Sequence, residues 1–326
     1  MTHWRVLITD RAWPDLMIEQ SVLEPAGVQI VDSPAGDEAT LCRLAADVDA
    51  IATNWAGVTQ RVITAAPRLK VIGRFGIGVD NIAVETATAR GIPVVNCPDY
   101  CLSEVSDHTL GLLLACARRI AFFHLRTKRG EYNLQAAQGQ QRLSTQTLGL
   151  IGLGRIGREV ARKAQALGLH LLAFTPSGAD YGTGCQMVSL EELLRSSDYV
   201  SLHLPLTDTT YHLINRQTLS WMKPTAYLIN TSRGGLIDHQ ALWEALQQNR
   251  LAGAALDVFE PEPPDLSHPL FQDERIIATP HAAFVSAQAL EHMRRQTCEQ
   301  IVEVLQGYPP RNLINPQIRH IPPAAG

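Results

Sequence analysis

Three polar residues late in the chain have the types and placement for acid–base chemistry on a carboxylated substrate: Arg233, Glu262 and His281. Each follows a short aliphatic stretch that reads as a strand, the three stretches ending at Asn230, near Asp257 and at Ala278. In an open α/β sheet, ligands sit beyond the carboxyl ends of the strands. If those strands are neighbours, the three side chains converge on one crevice. A guanidinium suits two-point contact with a carboxylate. An imidazole exchanges protons near neutral pH. A carboxylate bonded to the ring favours its protonated form and fixes its orientation. Such a set can hold a 2-oxo acid, polarise its carbonyl and supply a proton while a nicotinamide delivers hydride. Position alone also allows plainer roles: a turn histidine after Pro280, a solvated glutamate near Glu260 and Asp265, and a helix-entry arginine.

The crevice needs a coenzyme site, and the stretch TLGLIGLGRIGREV, residues 147–160, supplies its pattern. The apolar run 148–153 reads as a strand covered on both faces. Gly152, Gly154 and Gly157 then form G-x-G-x-x-G, followed by a helix from about Arg155. The first glycine permits a tight turn, the second lets a pyrophosphate approach the backbone, and the third lets helix and strand pack closely. The helix start presents free N–H groups and its positive dipole end to the phosphates. Arg155 and Ile156 belong to the same turn, and Arg155 adds a positive charge. The motif is weak alone, but here it stands between a strand and a helix, as it must.

A second glycine cluster, Gly73-Arg74-Phe75-Gly76-Ile77-Gly78-Val79, stands beside an earlier strand. Its spacing suits backbone N–H groups facing an anion, or a plain turn. Arg74 reads equally as an anion ligand or a surface charge.

Around these residues the chain alternates strand and helix. Strands are expected at 5–9, 28–31, 51–52, 69–72 and 94–96, with helices at 14–23 and 37–46. The longest helical pattern runs over 103–126, with Val105, Leu110, Leu113, Leu114, Ala117 and Ile120 at helical spacing. Residues 133–146 are polar and rich in Gln and read as a loop. Further strands are expected at 169–174, 198–204, 226–230, 254–257 and 276–278. Helices are expected from the Ser189/Glu192 capping box to Ser196, over 238–249 with Gly253 past its end, and over 286–306. The alternation argues for α/β units with parallel sheets, and two successive units suggest two similar domains.

Composition narrows the class. The 326 residues allow two domains, and 45% hydrophobic content allows a sizeable core. A net charge of −4 gives no case for nucleic acid or an anionic membrane. The six cysteines, Cys42, Cys97, Cys101, Cys116, Cys185 and Cys298, form neither a disulfide framework nor a metal set. No signal-peptide shape opens the chain, and the apolar run near 110–117 is too short to span a bilayer. A soluble, cytoplasmic protein without a metal is expected.

The motifs, taken in order, resemble those of the D-2-hydroxyacid dehydrogenase family. They are the 147–157 turn, Asn230-Thr231-Ser232-Arg233-Gly234-Gly235, Asp257-Val258-Phe259 through Glu262-Pro263, and Thr279-Pro280-His281. The resemblance spans almost the whole chain. It implies two Rossmann-like domains with a cleft between them, the first completed by the C-terminal helix. The implied bounds are 1–102 with 285–326 for the substrate-binding domain and 103–284 for the dinucleotide-binding one. Implied roles are His281 as proton donor, Glu262 as its partner and Arg233 as the carboxylate ligand. Asp257 would hold the nicotinamide carboxamide, while Thr231, Ser232, Leu204 and Pro205 line the coenzyme site. Arg74 and the loop at Gly76, Ile77 and Gly78 would bind substrate, with Phe284 bordering the pocket.

Within the family, the run from Arg74 to Asn81 is similar to phosphoglycerate dehydrogenases. His281-Ala282-Ala283-Phe284 and Asp99-Tyr100-Cys101 resemble the branch of the C-terminal binding proteins. With no further domain after Gly326, the feedback-regulated long form is not expected. One departure concerns the coenzyme. Thr175 stands where the family's ribose-binding acid is expected, and 175–184 holds no Arg or Lys. NAD is the expected coenzyme, with NADP the alternative. The resemblance also implies a homodimer held through 103–126. The alternative function is a coenzyme-sensing interaction protein.

Overall fold

The computed structural model describes residues 4–136 and 139–318. It divides into two compact units, Met1–Tyr100 with Ser286–Gly326, and Cys101–Val285. Both are α/β, each with a parallel sheet.

The first unit begins β1 (Trp4–Ile8), α1 (Met17–Leu23), β2 (Val28–Asp32), α2 (Glu38–Ala45), β3 (Ala50–Thr53), α3 (Gln60–Ala65), β4 (Val71–Arg74), α4 (Val84–Ala89) and β5 (Val94–Val95). The strand order is β2-β1-β3-β4-β5. Leu7, Ile51, Ile72 and Val94 cover one face together with Leu41, Val62 and Ile63 of α2 and α3. Asp37 and Thr59 cap α2 and α3 by accepting from the Thr40 and Val62 amides. Each such cap contributes about 1 kcal/mol. α3 and α4 escaped the periodicity reading because six residues hold too few apolar repeats. The strand expected at 69–72 begins at Val71, because the Leu69 amide still closes the turn after α3 onto the Ala66 carbonyl.

The second unit opens with α5 (Leu102–Ala117) and α6 (Ile120–Lys128). This corrects the single helix expected over 103–126. Arg119 adopts φ 52°, in the left-handed region, and ends α5 one residue after its Arg118 cap. α5 buries Val105, Thr109, Leu112, Leu113 and Cys116, whereas no residue of α6 is buried. Residues 133–146 hold two short 3-10 turns, Leu134–Ala136 and Leu143–Thr145; positions 137 and 138 lie outside the described residues.

Then follow β6 (Thr147–Ile151), α7 (Arg155–Ala166), β7 (His170–Phe174), β8 (Gln186–Met187), α8 (Leu190–Ser196), β9 (Tyr199–Leu202), α9 (Arg216–Trp221), β10 (Tyr227–Asn230), α10 (His239–Gln247), β11 (Gly253–Leu256) and β12 (Ile276–Ala278). The sheet order is β12-β11-β10-β9-β6-β7-β8. β9, β10 and β11 are buried almost throughout, as parallel strands covered on both faces must be. Their period-two alternation splits the core. Leu148, Leu150, Ile229 and Ala255 join α5 and α7 on one face. Ile151, Leu202, Leu228 and Leu256 join α8, α9 and α10 on the other. Ser189 caps α8 by accepting from the Glu192 amide, as its spacing implied. Past α10 the left-handed residue is Asn249, at φ 53°, while Gly253 opens β11. Among the described residues, no helix is long and apolar enough to cross a membrane.

The chain then returns to the first unit with α11 (Ala287–Leu305), its longest helix, capped by Ser286. α11 packs on α1 and β4. Between α1 and α11 the Arg294 guanidinium meets the fully buried Glu19 at 2.8 and 2.6 Å, and Asp15 at 3.1 Å. Removing one partner of a buried pair strands the other charge. Glu19→Ala is therefore expected to destabilise the first unit by about 3 kcal/mol, read as a lower urea midpoint.

Candidate active site

The order in which strands are added to the second unit's parallel sheet reverses at β6, which has β7 on one side and β9 on the other. A crevice opens at such a switch point, beyond the carboxyl ends of the strands. The glycine turn lies there. Gly152 has φ 101°, and its amide donates to the Phe174 carbonyl at the end of β7. A Cβ on Gly152 would lie 2.4 Å from the His203 carbonyl oxygen, and one on Gly157 only 2.3 Å from the Gly152 oxygen. These two glycines are steric necessities of the turn. Gly154 is different. It is the N-cap of α7, no side chain caps it, and a Cβ there would meet nothing within 4 Å. Open space before an uncapped helix start, beside the exposed Arg155 and half-buried Ile156, is what a coenzyme pyrophosphate requires.

Beyond β9 come His203, Leu204 and Pro205. The His203 ring bonds Ser201 Oγ through Nε2 at 2.9 Å, and burial pushes its pKa down to about 4. It therefore stays neutral beside the glycine turn near neutral pH. Leu204 is half-buried against the turn and Pro205 is exposed. Thr175, first after β7, is 8% exposed, and its hydroxyl bonds Ser177 Oγ at 3.2 Å and the Ala179 carbonyl at 3.3 Å.

Strands β10, β11 and β12 are adjacent, so the residues following them are brought together. His281 Nδ1 lies 2.7 Å from Glu262 Oε2, and Glu262 Oε1 accepts the Phe259 amide at 2.8 Å. Burial of Glu262 would raise its pKa. The His281 hydrogen bond and charge, the Phe259 amide and the Arg233 charge outweigh that and hold it below the ordinary carboxylate value. Glu262 is thus ionised across the neutral range, and with Nδ1 held, Nε2 is the ring atom that can exchange a proton with a reactant. Phe284 meets the His281 ring edge-on, with centroids 6.0 Å apart.

Arg233 ends a turn that Asn230 ties from within, its side chain accepting the Ser232 amide and donating to the Arg233 carbonyl. Ser232 Oγ donates to the Leu202 carbonyl, and Thr231 Oγ1 meets Thr109 Oγ1 of α5 at 2.9 Å. Gly234 lets this turn press on the Phe259–Glu260 peptide, where a Cβ would stand 2.0 Å from the Phe259 carbonyl. That close approach puts the Arg233 turn beside the loop carrying Glu262.

Asp257 is fully buried. Its carboxylate accepts the Thr279 hydroxyl at 2.5 Å and the Ala282 and Ala283 amides at 2.9 Å, and its carbonyl accepts the His281 amide at 2.7 Å. His108 Nε2 of α5 reaches Thr279 Oγ1 at 3.0 Å. This carboxylate therefore clamps the loop that presents His281, which itself takes φ 53°. Motif spacing did not reveal His108 or Thr109; the only hint was polar residues along α5.

Arg74, Gly76, Ile77 and Gly78 belong to the first unit. Arg74 is 7% exposed, which excludes the surface-charge reading. Its NH1 donates to the Phe75 carbonyl and to Asn54 Oδ1 at 3.2 Å. Gly76, at φ 146°, leaves room for that guanidinium, since a Cβ would stand 2.7 Å from NH1. The Gly76 amide is already used by the Arg74 carbonyl, whereas those of Ile77 and Gly78 make no hydrogen bond among the described residues.

Comparison with known proteins agrees with this architecture. Residues 110–283 match the model of the D-isomer specific 2-hydroxyacid dehydrogenase family, NAD binding domain. The chain belongs to that family. It is similar to a D-3-phosphoglycerate dehydrogenase of Methanocaldococcus jannaschii, 40% identical over 95% of this chain but spanning only 59% of that relative. It is also similar to a hydroxypyruvate reductase of Thermotoga maritima, 36% identical over 94% of this chain and 99% of that one. Among solved structures, D-lactate dehydrogenase of Aquifex aeolicus, complexed with NAD and lactic acid, superposes with a TM-score of 0.88 at 28% identity, over 95% of this chain and 99% of that one. Membership places the chain among nicotinamide-dependent oxidoreductases, and these relatives give no support to a sensing protein without catalysis.

The glycine geometry separates two variants. Gly154→Ala is expected to leave the melting temperature near wild type yet weaken NAD binding by roughly tenfold or more, about 1.4 kcal/mol, because its Cβ fills only the open space. Gly157→Ala is expected to lower the melting temperature itself. Thermal denaturation and calorimetric titration read both; unimpaired NAD binding by Gly154→Ala would move the pyrophosphate elsewhere.

Proposed function

We propose that this chain catalyses hydride exchange between a nicotinamide coenzyme and C2 of a small 2-oxo acid, forming a D-2-hydroxy acid. The observation that carries it is the His281–Glu262 pair, with Arg233 beside it, at the ends of adjacent strands in the unit that holds the glycine turn.

The coenzyme, when bound, supplies or accepts the hydride. Gly152, Gly154, Arg155, Ile156 and Gly157 hold its pyrophosphate, Thr175 faces its adenosine ribose, and Leu204, Pro205, Thr231 and Ser232 line the remainder of its site. Arg233 binds the substrate carboxylate. Arg74 shapes the loop whose Ile77 and Gly78 amides serve substrate binding in the first unit, with Gly76 supplying the turn. His281 Nε2 donates its proton to the carbonyl oxygen as C2 is reduced and takes it back in the reverse direction. Glu262 holds the ring by Nδ1 and so fixes its orientation. Phe284 borders His281 and presents an apolar wall. We assign Asp257 to the positioning of His281, since its acceptors serve the 279–283 loop. The second unit is the dinucleotide-binding domain and the first the substrate-binding domain.

We infer a homodimer formed through α6. That helix carries Phe122, Phe123 and Leu125 and buries none of them within its own unit. Six unpaired cysteines suit a reducing, cytoplasmic setting. Neither nucleic acid nor membrane enters this reading.

The test is oxidation of NADH with glyoxylate, hydroxypyruvate, pyruvate, phenylpyruvate and 3-phosphohydroxypyruvate. Turnover is expected on at least one, and His281→Ala should lower kcat by roughly 10²–10⁴-fold; absence of turnover on all five would count against the reading. Glu262→Ala removes the carboxylate that holds Nδ1, so kcat should fall by roughly 10²-fold through misplacement of the ring. An unchanged kcat would mean that Glu262 does not position His281.

A further inference from the structure

α7 opens with a charge arrangement that its own unit does not satisfy. Its first turn contains no acidic residue, although a helix start favours negative charge. Instead it carries Arg155 and Arg158. Among the described residues neither guanidinium makes an ion pair or a hydrogen bond. The later cations of α7 are paired, Arg162 with Glu159 at 2.6 Å and Lys163 with Asp107 at 2.7 Å. Two cations without an ion pair at a helix start give that end a local positive charge to which anionic groups are attracted. A pyrophosphate at Gly154 accounts for Arg155. It leaves Arg158, one step further along the helix.

The Arg158 guanidinium lies 5.8 Å from the centre of the Tyr181 ring. The Tyr181 hydroxyl meets Ser177 Oγ at 2.9 Å, and Ser177 Oγ meets Thr175 Oγ1 at 3.2 Å. A chain of three hydroxyls thus runs from the end of β7 to a cation on α7. Tyr181 takes φ 50°, and Gly178, Gly182 and Gly184 are also left-handed, so the loop is folded tightly to bring these groups together. No acid stands at position 175 to repel a phosphate. Of the carboxylates nearest in sequence, Glu159 pairs with Arg162, and Asp180 turns Oδ1 to the Gly182 amide at 3.2 Å. The absence of Arg and Lys from 175–184 is made good by a cation from a different element.

We propose that Thr175, Ser177, Tyr181 and Arg158 form a site for a nucleotide 2′-phosphate, so that the chain takes NADP(H) as well as NAD(H). The proposal rests on the assignment of the glycine turn to the coenzyme pyrophosphate. Hydroxyls donate to the phosphate oxygens and the guanidinium supplies charge.

The test compares calorimetric binding of NADP⁺ and NAD⁺, which differ only by that phosphate. Wild type should bind NADP⁺ within about threefold of NAD⁺ or tighter, a gap of under about 1 kcal/mol. Arg158→Ala should raise the ratio of the NADP⁺ Kd to the NAD⁺ Kd about tenfold, the scale of one charged contact. Arg158→Lys should restore part of it. Thr175→Asp should raise the ratio further by repulsion. Arg158 is exposed whereas Thr175 is largely buried, and circular dichroism would check that each variant is folded. Tight NAD⁺ binding with NADP⁺ a hundredfold weaker in wild type, or a ratio that Arg158→Ala does not move, would overturn the 2′-phosphate site alone. Failure to bind either dinucleotide would overturn the coenzyme assignment and this proposal with it.

Discussion

The geometry around His281 depends on one buried carboxylate. Asp257 sits at the end of β11 with no solvent exposure, and the donors around it are a hydroxyl and two backbone amides. A buried carboxylate without such donors would be costly. Here the cost is offset only if residues 279–283 curl over it, and that curl holds His281 at a positive φ. The same clamp reaches α5 through Thr279 and His108. The loop is thereby referenced to a fully buried part of the sheet. A loop side chain keeps a fixed place only over a rigid scaffold, and this carboxylate couples the two.

Steric exclusion does comparable work elsewhere. Gly152, Gly157 and Gly234 each occupy a place where a Cβ would penetrate a backbone carbonyl. The contacts they permit run between β6 and β9, within the glycine turn, and between the Arg233 turn and the Phe259 peptide. Interiors at this density shift as units rather than yield locally. The separation of Arg233 from Glu262 and the shape of the turn before α7 are therefore set by packing, and no flexible side chain has to be ordered to make them.

This division explains what the sequence disclosed. The strands of the second unit other than β8 were readable because their aliphatic runs are largely buried, and their ends moved by at most two residues; β8, two residues long, offers no such run. Arg233, Glu262 and His281 were readable because each follows such a run. The helix over 103–126 misled because Ile120, Phe122 and Phe123 continue the apolar pattern, and a pattern does not reveal that the backbone turns at Arg119 or that the second half stays uncovered. The clamp by Asp257 was hidden because its partners include the amides of two alanines, which carry no side-chain signal. The contact of Arg158 with Tyr181 was hidden because it joins a helix to a loop across β7, with nothing local to announce it.

Charge balance ties the candidate site together. Arg233 and a protonated His281 bring two positive charges, and Glu262 brings one negative, held ionised by both. The surplus is a single positive charge in a partly enclosed place. Under the proposed reaction a monocarboxylate substrate would neutralise that surplus. Proton transfer from His281 would then remove one positive charge from the protein while loss of hydride would leave one on the nicotinamide, so the net charge around the anionic product would be unchanged and only its place would shift. Glu262 stands against both Arg233 and His281, and its contact with Nδ1 at 2.7 Å leaves Nε2 as the ring nitrogen for a reactant.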